Sequence, residues 1–188
     1  MKEYDARQII RRGALKSELD LERAQVVRDR LRLLAKEHPT LLVLLKKIQD
    51  LTFVYESIHW RNDANVTDER VLENDQAEIQ VAQEIEFHKR RTKLILSRLN
   101  VLGLQPKDLA ILLKHNKSYV AELLAGTRAF SLNHLILLHV MLRIPLKDLI
   151  PVHVPEEVQR RLKAVLPKVA NGNLGFKDRS LELIKLRD

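Results

Sequence analysis

Apolar residues return every three or four positions through the first sixty residues of this chain. Leu21, Ala24, Val27, Leu31 and Leu34 trace one stripe; Leu41, Leu44, Leu45, Ile48, Leu51, Val54 and Tyr55 trace another. That period places each set on one face of an α-helix and does not fit the two-residue alternation of a strand. The chain has only 5 glycines and 4% aromatic residues, too few for a β-sandwich or barrel. The expected fold class is all-α.

Local signals set the helix ends. Ser17 is a cap for a helix running to about Glu37. His38-Pro39 ends it, because a residue before proline avoids the helical region, and Pro39 suits the first turn of the next helix. That helix stops near Trp60. Residues 1–61 therefore read as a helical hairpin for dimerisation or partner binding. Trp60, Phe53 and Tyr55 either cap this hairpin or line a partner pocket.

Residues 62–87 change character. Eight acids face one base, Arg70. This segment reads as an acidic connector, partly helical from Thr67, with Val71, Ile79 and Ala82 as its apolar stripe. Bases then crowd in at Lys89, Arg90, Arg91, Lys93 and Arg98, which sets a domain boundary near residue 87. Residues 1–90 hold 16 Lys/Arg against 17 Asp/Glu, and residues 91–188 hold 17 against 8. Such asymmetry points the C-terminal half towards a polyanion.

Five short helices are expected over 88–151. They run from about Glu86 to Leu102, from Pro106, from Lys117 to Ala125, from a Ser131 cap, and over 145–150. Leu94, Ile95, Leu99 and Leu102 should face inward on the first. The tail, 152–188, should be a basic extension with a helix carrying Val158, Leu162 and Val165, a break at 171–173 and the ambiguous segment SLELIKLR.

Five short helices with tight turns describe a helix-turn-helix domain. In "NKSYVAELLAG", Val120, Leu123 and Leu124 face inward while Asn116, Lys117, Ser118, Tyr119 and Glu122 face out. Asn pairs adenine, Lys pairs guanine and Glu accepts from cytosine. Gly126 permits a left-handed stop, and Arg128 beyond it meets a phosphate.

The runs "GLQPKDLA" (103–110), "VAELLAGTRAFSLNHL" (120–135) and "LHVMLRIPLKDLI" (138–150) resemble the Cro/C1-type (XRE) helix-turn-helix family, in its HigA-type antitoxin branch. The likeness spans residues 93–151, about a third of the chain. "HPTLLVLLKKIQDLTFVYE" (38–56) is similar to a segment such proteins carry upstream. The resemblance implies a dimer on a palindromic double-stranded DNA operator, repression of the protein's own operon, and the binding of a small ribonuclease toxin. By position it assigns DNA reading to Asn116, Lys117, Ser118, Tyr119 and Glu122, and phosphate contacts to Lys114 and Arg128. The family's glutamine at the head of the supporting helix falls at Pro106, with Gln105 one place early. The turn carries Lys114-His115 where glycine or a small residue is usual. Ile111, Leu112, Leu137 and Val140 are apolar where the family is polar, so a second subunit or the N-terminal helices should cover them.

No cysteine is present, which removes thiolate metal sites and suits a cytoplasmic protein. MKEYDARQIIRR has no long apolar run, so neither a secretory signal nor a membrane anchor is expected. His134 and His139 are five apart and share no helix face for a metal; His139 should sit in the core against a carbonyl. No HExxH, Walker or dinucleotide pattern occurs, so no enzyme, metal or cofactor is expected. Two other readings stay open: a stand-alone regulator whose N-terminal hairpin senses a ligand or partner, and an interaction module that has lost DNA binding.

Overall fold

The computed structural model describes residues 4–61 and 66–151, with Arg161, Leu162, Ala164, Val165 and Val169 of the tail. Two units form, residues 1–150 and 151–188. The first contains α1 (Ala6–Arg12), α2 (Glu18–Leu34), a 3-10 turn (Pro39–Leu41), α3 (Leu42–His59), α4 (Asp68–Val101), α5 (Pro106–Leu112), α6 (Lys117–Ala125), α7 (Leu132–Leu142) and α8 (Leu146–Leu149). The described residues are helical, without strands. None of their helices is long and apolar enough to cross a membrane. In the tail, residues 161, 162, 164, 165 and 169 are helical. Val158, the break at 171–173 and SLELIKLR lie outside the described residues.

The caps behave as their chemistry requires. Ser17 accepts from the Asp20 N–H at the start of α2 and Thr67 from the Arg70 N–H at the start of α4. Ser131 accepts from the His134 N–H at the start of α7. Each supplies an acceptor to an amide that has no partner inside its helix. Asp5 opens α1, a helix the periodicity did not single out, by accepting from Arg7 and Gln8.

α4 is the largest departure from expectation. The acidic connector and the basic helix after it form one 34-residue helix. No glycine or proline interrupts 67–102, so nothing breaks the helix at residue 87. The charge reversal there is a gradient along a single helix, acidic at the N-terminus and basic at the C-terminus, as the helix dipole favours. Nor does the expected stripe face inward. Val71 and Ile79 are exposed, as is Ala82, while Ala77, Val81 and Glu84 are buried. Leu102, expected inward, is exposed as well.

Two cores result. Ile9, Ala24, Val27, Leu31, Leu45 and Ile48 pack α1, α2 and α3 together. Ile95 and Leu99 of α4 join Leu109, Val120, Leu123, Leu135, Leu138 and Leu149 in the second. Val140 is 67% exposed and lies outside it. His139 places Nδ1 2.7 Å from the Ile144 carbonyl as expected, but it is exposed and not part of the core.

Buried charge ties the elements. Glu18, fully buried on α2, accepts from Tyr55 Oη at 2.9 Å, Trp60 Nε1 at 3.0 Å and Arg70 Nη1 at 2.9 Å. Arg23 grips Glu84 through Nε at 3.0 Å and Nη2 at 2.5 Å. Burial alone would raise the Glu84 carboxyl, but Arg23 and then Gln80 hold it below the ordinary range. Arg91, 2% exposed, donates to the Leu149 carbonyl at 3.2 Å and lies 2.8 Å from His88 Nδ1.

Replacing Glu18 with alanine strands the buried Tyr55 hydroxyl and the half-buried donors of Trp60 and Arg70. Urea unfolding should show a loss of about 3 kcal/mol.

His88 is pushed down to about 3, by burial first and then by Arg91 and Arg30. It is neutral in the fold but protonates in the unfolded chain below about pH 6.5. The unfolded state therefore binds an extra proton, and stability falls as pH drops from 6.5 towards 3. Between about pH 7.5 and 5 this one group should remove about 2 kcal/mol. Urea unfolding of His88→Gln should show a pH dependence flatter by that amount.

Candidate nucleic-acid interface

α5 and α6 form the pair that sequence reasoning singled out. Pro106 takes the first position of α5, and the Gln105 N–H is held by the Asp108 carboxylate at 2.8 Å. Leu109, Ala110 and Leu113 turn inward. Lys114 then adopts φ 55°, a left-handed backbone. A lysine therefore makes a turn that glycine would make without strain, at a steric cost of about 1 kcal/mol. Asn116 caps α6 by accepting from the Tyr119 N–H at 2.8 Å. Val120 and Leu123 anchor the back of α6 in the core, and Thr92 of α4 donates to the Leu124 carbonyl at 2.8 Å.

The stop at Gly126 has two causes. Its φ is +72°, and a Cβ there would sit 2.6 Å from Arg30 Nη1. Arg30 itself donates to the Gly126 carbonyl at 3.3 Å.

The expected outward face divides. Gln105, Lys114, Asn116 and Lys117 are exposed, with Lys107 beside them, whereas Ser118 and Tyr119 are half-buried. Tyr119 stacks on His115 with ring centres 3.7 Å apart and planes 9° from parallel. The Arg128 guanidinium carbon lies 4.1 Å from the Tyr119 ring centre. His115 Nε2 is 3.1 Å from His134 Nε2, which fixes this cluster against α7.

Two assignments need correction. Glu122 does not face out: it is 2% exposed, sealed beneath α1 and paired with Arg7 and Arg128. A carboxylate so enclosed between two guanidiniums has no route to a cytosine. Arg128 is equally committed, spending its charge on Glu122 and its face on Tyr119. Neither the open face of α6 nor a free phosphate contact at Arg128 survives beyond the first turn of the helix.

Sequence reasoning missed what covers α6. The Ala6 N–H donates to the Thr127 carbonyl at 2.9 Å, and the Ala129 N–H donates to Asp5 at 3.3 Å. α1 thus docks on the loop after α6. A lone acid on a helix otherwise read as basic and polar was the available signal that a cation must come from elsewhere. The apolar additions are not covered by the N-terminal helices: Ile111 is 76% exposed, and Leu137 and Val140 are also open. Among the described residues no group of three or more His, Cys, Asp or Glu could hold a metal ion.

If the Arg7–Glu122 pair holds α1 in place, Arg7→Ala should speed amide hydrogen exchange at Ala6 and Ala129 by about tenfold. Exchange at Val120 and Leu123 should not change. Equal acceleration at all four positions would show that the variant loosens α6 itself.

Comparison with protein-family profiles, curated proteins and solved structures finds no match to this chain.

Proposed function

We propose that this protein is a helix-turn-helix transcription repressor that binds double-stranded DNA through the first turn of α6. One observation carries the reading. Asn116 and Lys117 stand exposed at the N-terminus of a helix whose back is locked into a core, with Lys114 beside them on a tight turn. Recognition helices meet base edges with this same N-terminal end. Asn116 and Lys117 are the base-reading residues, and Lys114 and Gln105 the backbone contacts. Glu122 and Arg128 form an internal brace and leave the contact set.

The protein acts as a dimer on a palindromic operator, with its two α6 helices about 34 Å apart. The exposed stripe Leu132, Ile136 and Val140 on α7, at helical four-residue spacing, supports a second copy as the cover for that face. The resemblance extends the proposal to an antitoxin that represses its own operon and blocks a small ribonuclease. Co-purification of a small basic ribonuclease would support that extension.

A second reading, an interaction module that does not bind DNA, is favoured by the way α1 covers the loop after α6 and by Glu122, which neutralises Arg128.

Electrophoretic shift with the gene's own upstream DNA across a salt series separates the two. Repression predicts a specific complex that weakens steeply with salt. The double variant Asn116→Ser, which keeps a capping oxygen, with Lys117→Ala should lose about 2 to 6 kcal/mol of operator preference at unchanged helix content, two contacts each contributing roughly 1–3 kcal/mol. Full operator affinity in that variant would overturn the assignment of α6. Absence of any salt-sensitive complex would favour the interaction module.

A further inference from the structure

A cleft of about 520 Å³ opens where α2, α3 and the start of α4 meet. The DNA-binding reading makes no use of it. Leu21, buried on α2, lies at its back, and Trp60 and Phe53 contribute aromatic surface. Trp60 is held in place because its Nε1 donates to Glu18 at 3.0 Å. Phe53 is 61% exposed, which leaves its ring open to a molecule in the cleft.

The polar lining is acidic. Glu22 and Glu56 face a single guanidinium, that of the exposed Arg61. Glu56 accepts from Gln25 Nε2 at 3.2 Å, so its carboxylate is fixed in direction. Glu22 forms no ion pair among the described residues, and Arg28, which offsets its charge from a distance, is paired with Asp29. Burial, then Glu78 and Glu18, push the Glu22 carboxyl above its ordinary range. Two carboxylates against the one exposed guanidinium of Arg61 thus leave a net negative charge at an apolar, aromatic cleft. A volume of this size falls within the roughly 300–1,000 Å³ that small-molecule sites occupy.

The geometry points to a binding site for a small organic cation with an apolar body. Its hydrocarbon part lies against Leu21, Phe53 and Trp60, and its ammonium or guanidinium head meets Glu22 and Glu56. Aromatic faces attract cations through their quadrupole, and a carboxylate adds a charge-assisted hydrogen bond. The two acids select a cation over an anion of the same shape. This site is independent of the DNA-binding reading, because nothing in it involves α5 or α6.

Trp60 is the chain's single tryptophan, so its emission reports on the cleft alone. The full chain is titrated with 4-phenylbutylamine, and with 4-phenylbutanol and 4-phenylbutyrate as neutral and anionic controls. The expected result is a saturable emission change with the amine and affinity at least about tenfold weaker for both controls. Glu22→Gln should lower amine affinity about tenfold and bring the amine level with the alcohol. Circular dichroism checks that the variant keeps its helices. If it does not, Glu56→Gln serves as the second test, with the same expected loss. The proposal fails if the amine produces no saturable change, if the alcohol binds as well as the amine, or if a folded variant keeps the full preference for the amine.

Discussion

One helix that nothing interrupts carries this structure. α4 is 34 residues long, about 50 Å, and both hydrophobic cores are built against it or against helices fastened to it. Three of its polar side chains do the fastening. Arg70 reaches the buried Glu18 on α2, Glu84 takes the two-pronged grip of Arg23, and Arg91 reaches the carbonyl of Leu149 at the end of α8. These three sit at multiples of seven residues, so they lie along one slowly turning face. A second set of ties joins the cores directly: Ala6 to Thr127, Arg7 to Glu122 and Arg30 to the Gly126 carbonyl.

The same face explains what the sequence disclosed and what it hid. Helix caps at Ser17, Thr67 and Ser131, and the limits of α6, were legible because each depends on a few adjacent residues. The inward face of α4 was not. Its buried positions, Ala77, Val81, Glu84, Arg91, Ile95 and Leu99, mix apolar residues with charges that only distant partners satisfy. An apolar-periodicity reading therefore chose Val71, Ile79 and Ala82, which point to water. The break placed at residue 87 has the same origin: a change of charge sign was read as a change of domain, although the backbone carries no breaker there.

For the candidate interface, local chemistry located α5, the turn and α6, including a stop at Gly126. It could not show that Arg7 and Asp5, more than a hundred residues away, close over the far end of α6. Glu122 was read as a base contact because its position on the helix is outward with respect to α6 alone. The fold adds α1 on that side and turns the acid into a brace. The lone acid on α6 signalled that a cation must come from elsewhere, but nothing in spacing or composition named Arg7, 115 residues away.

On the proposed readings of α6 and of the cleft, charge segregation along α4 would let two partners of opposite sign use one unit. Asn74, on the cleft, and Thr92, which holds α6, are 18 residues apart on the same helix, about 27 Å of rise. At physiological salt, exposed charges are screened over about 8 Å. The acids around the cleft therefore exert little repulsion on a phosphate backbone approaching Lys114 and Lys117, and those lysines exert little on a cation entering the cleft. Were the acidic and basic residues interleaved, each partner would meet a mixed field and neither end would discriminate. A rigid helix longer than three screening lengths keeps the two fields apart, which is a physical reason for a chain of this size to hold its charge in blocks.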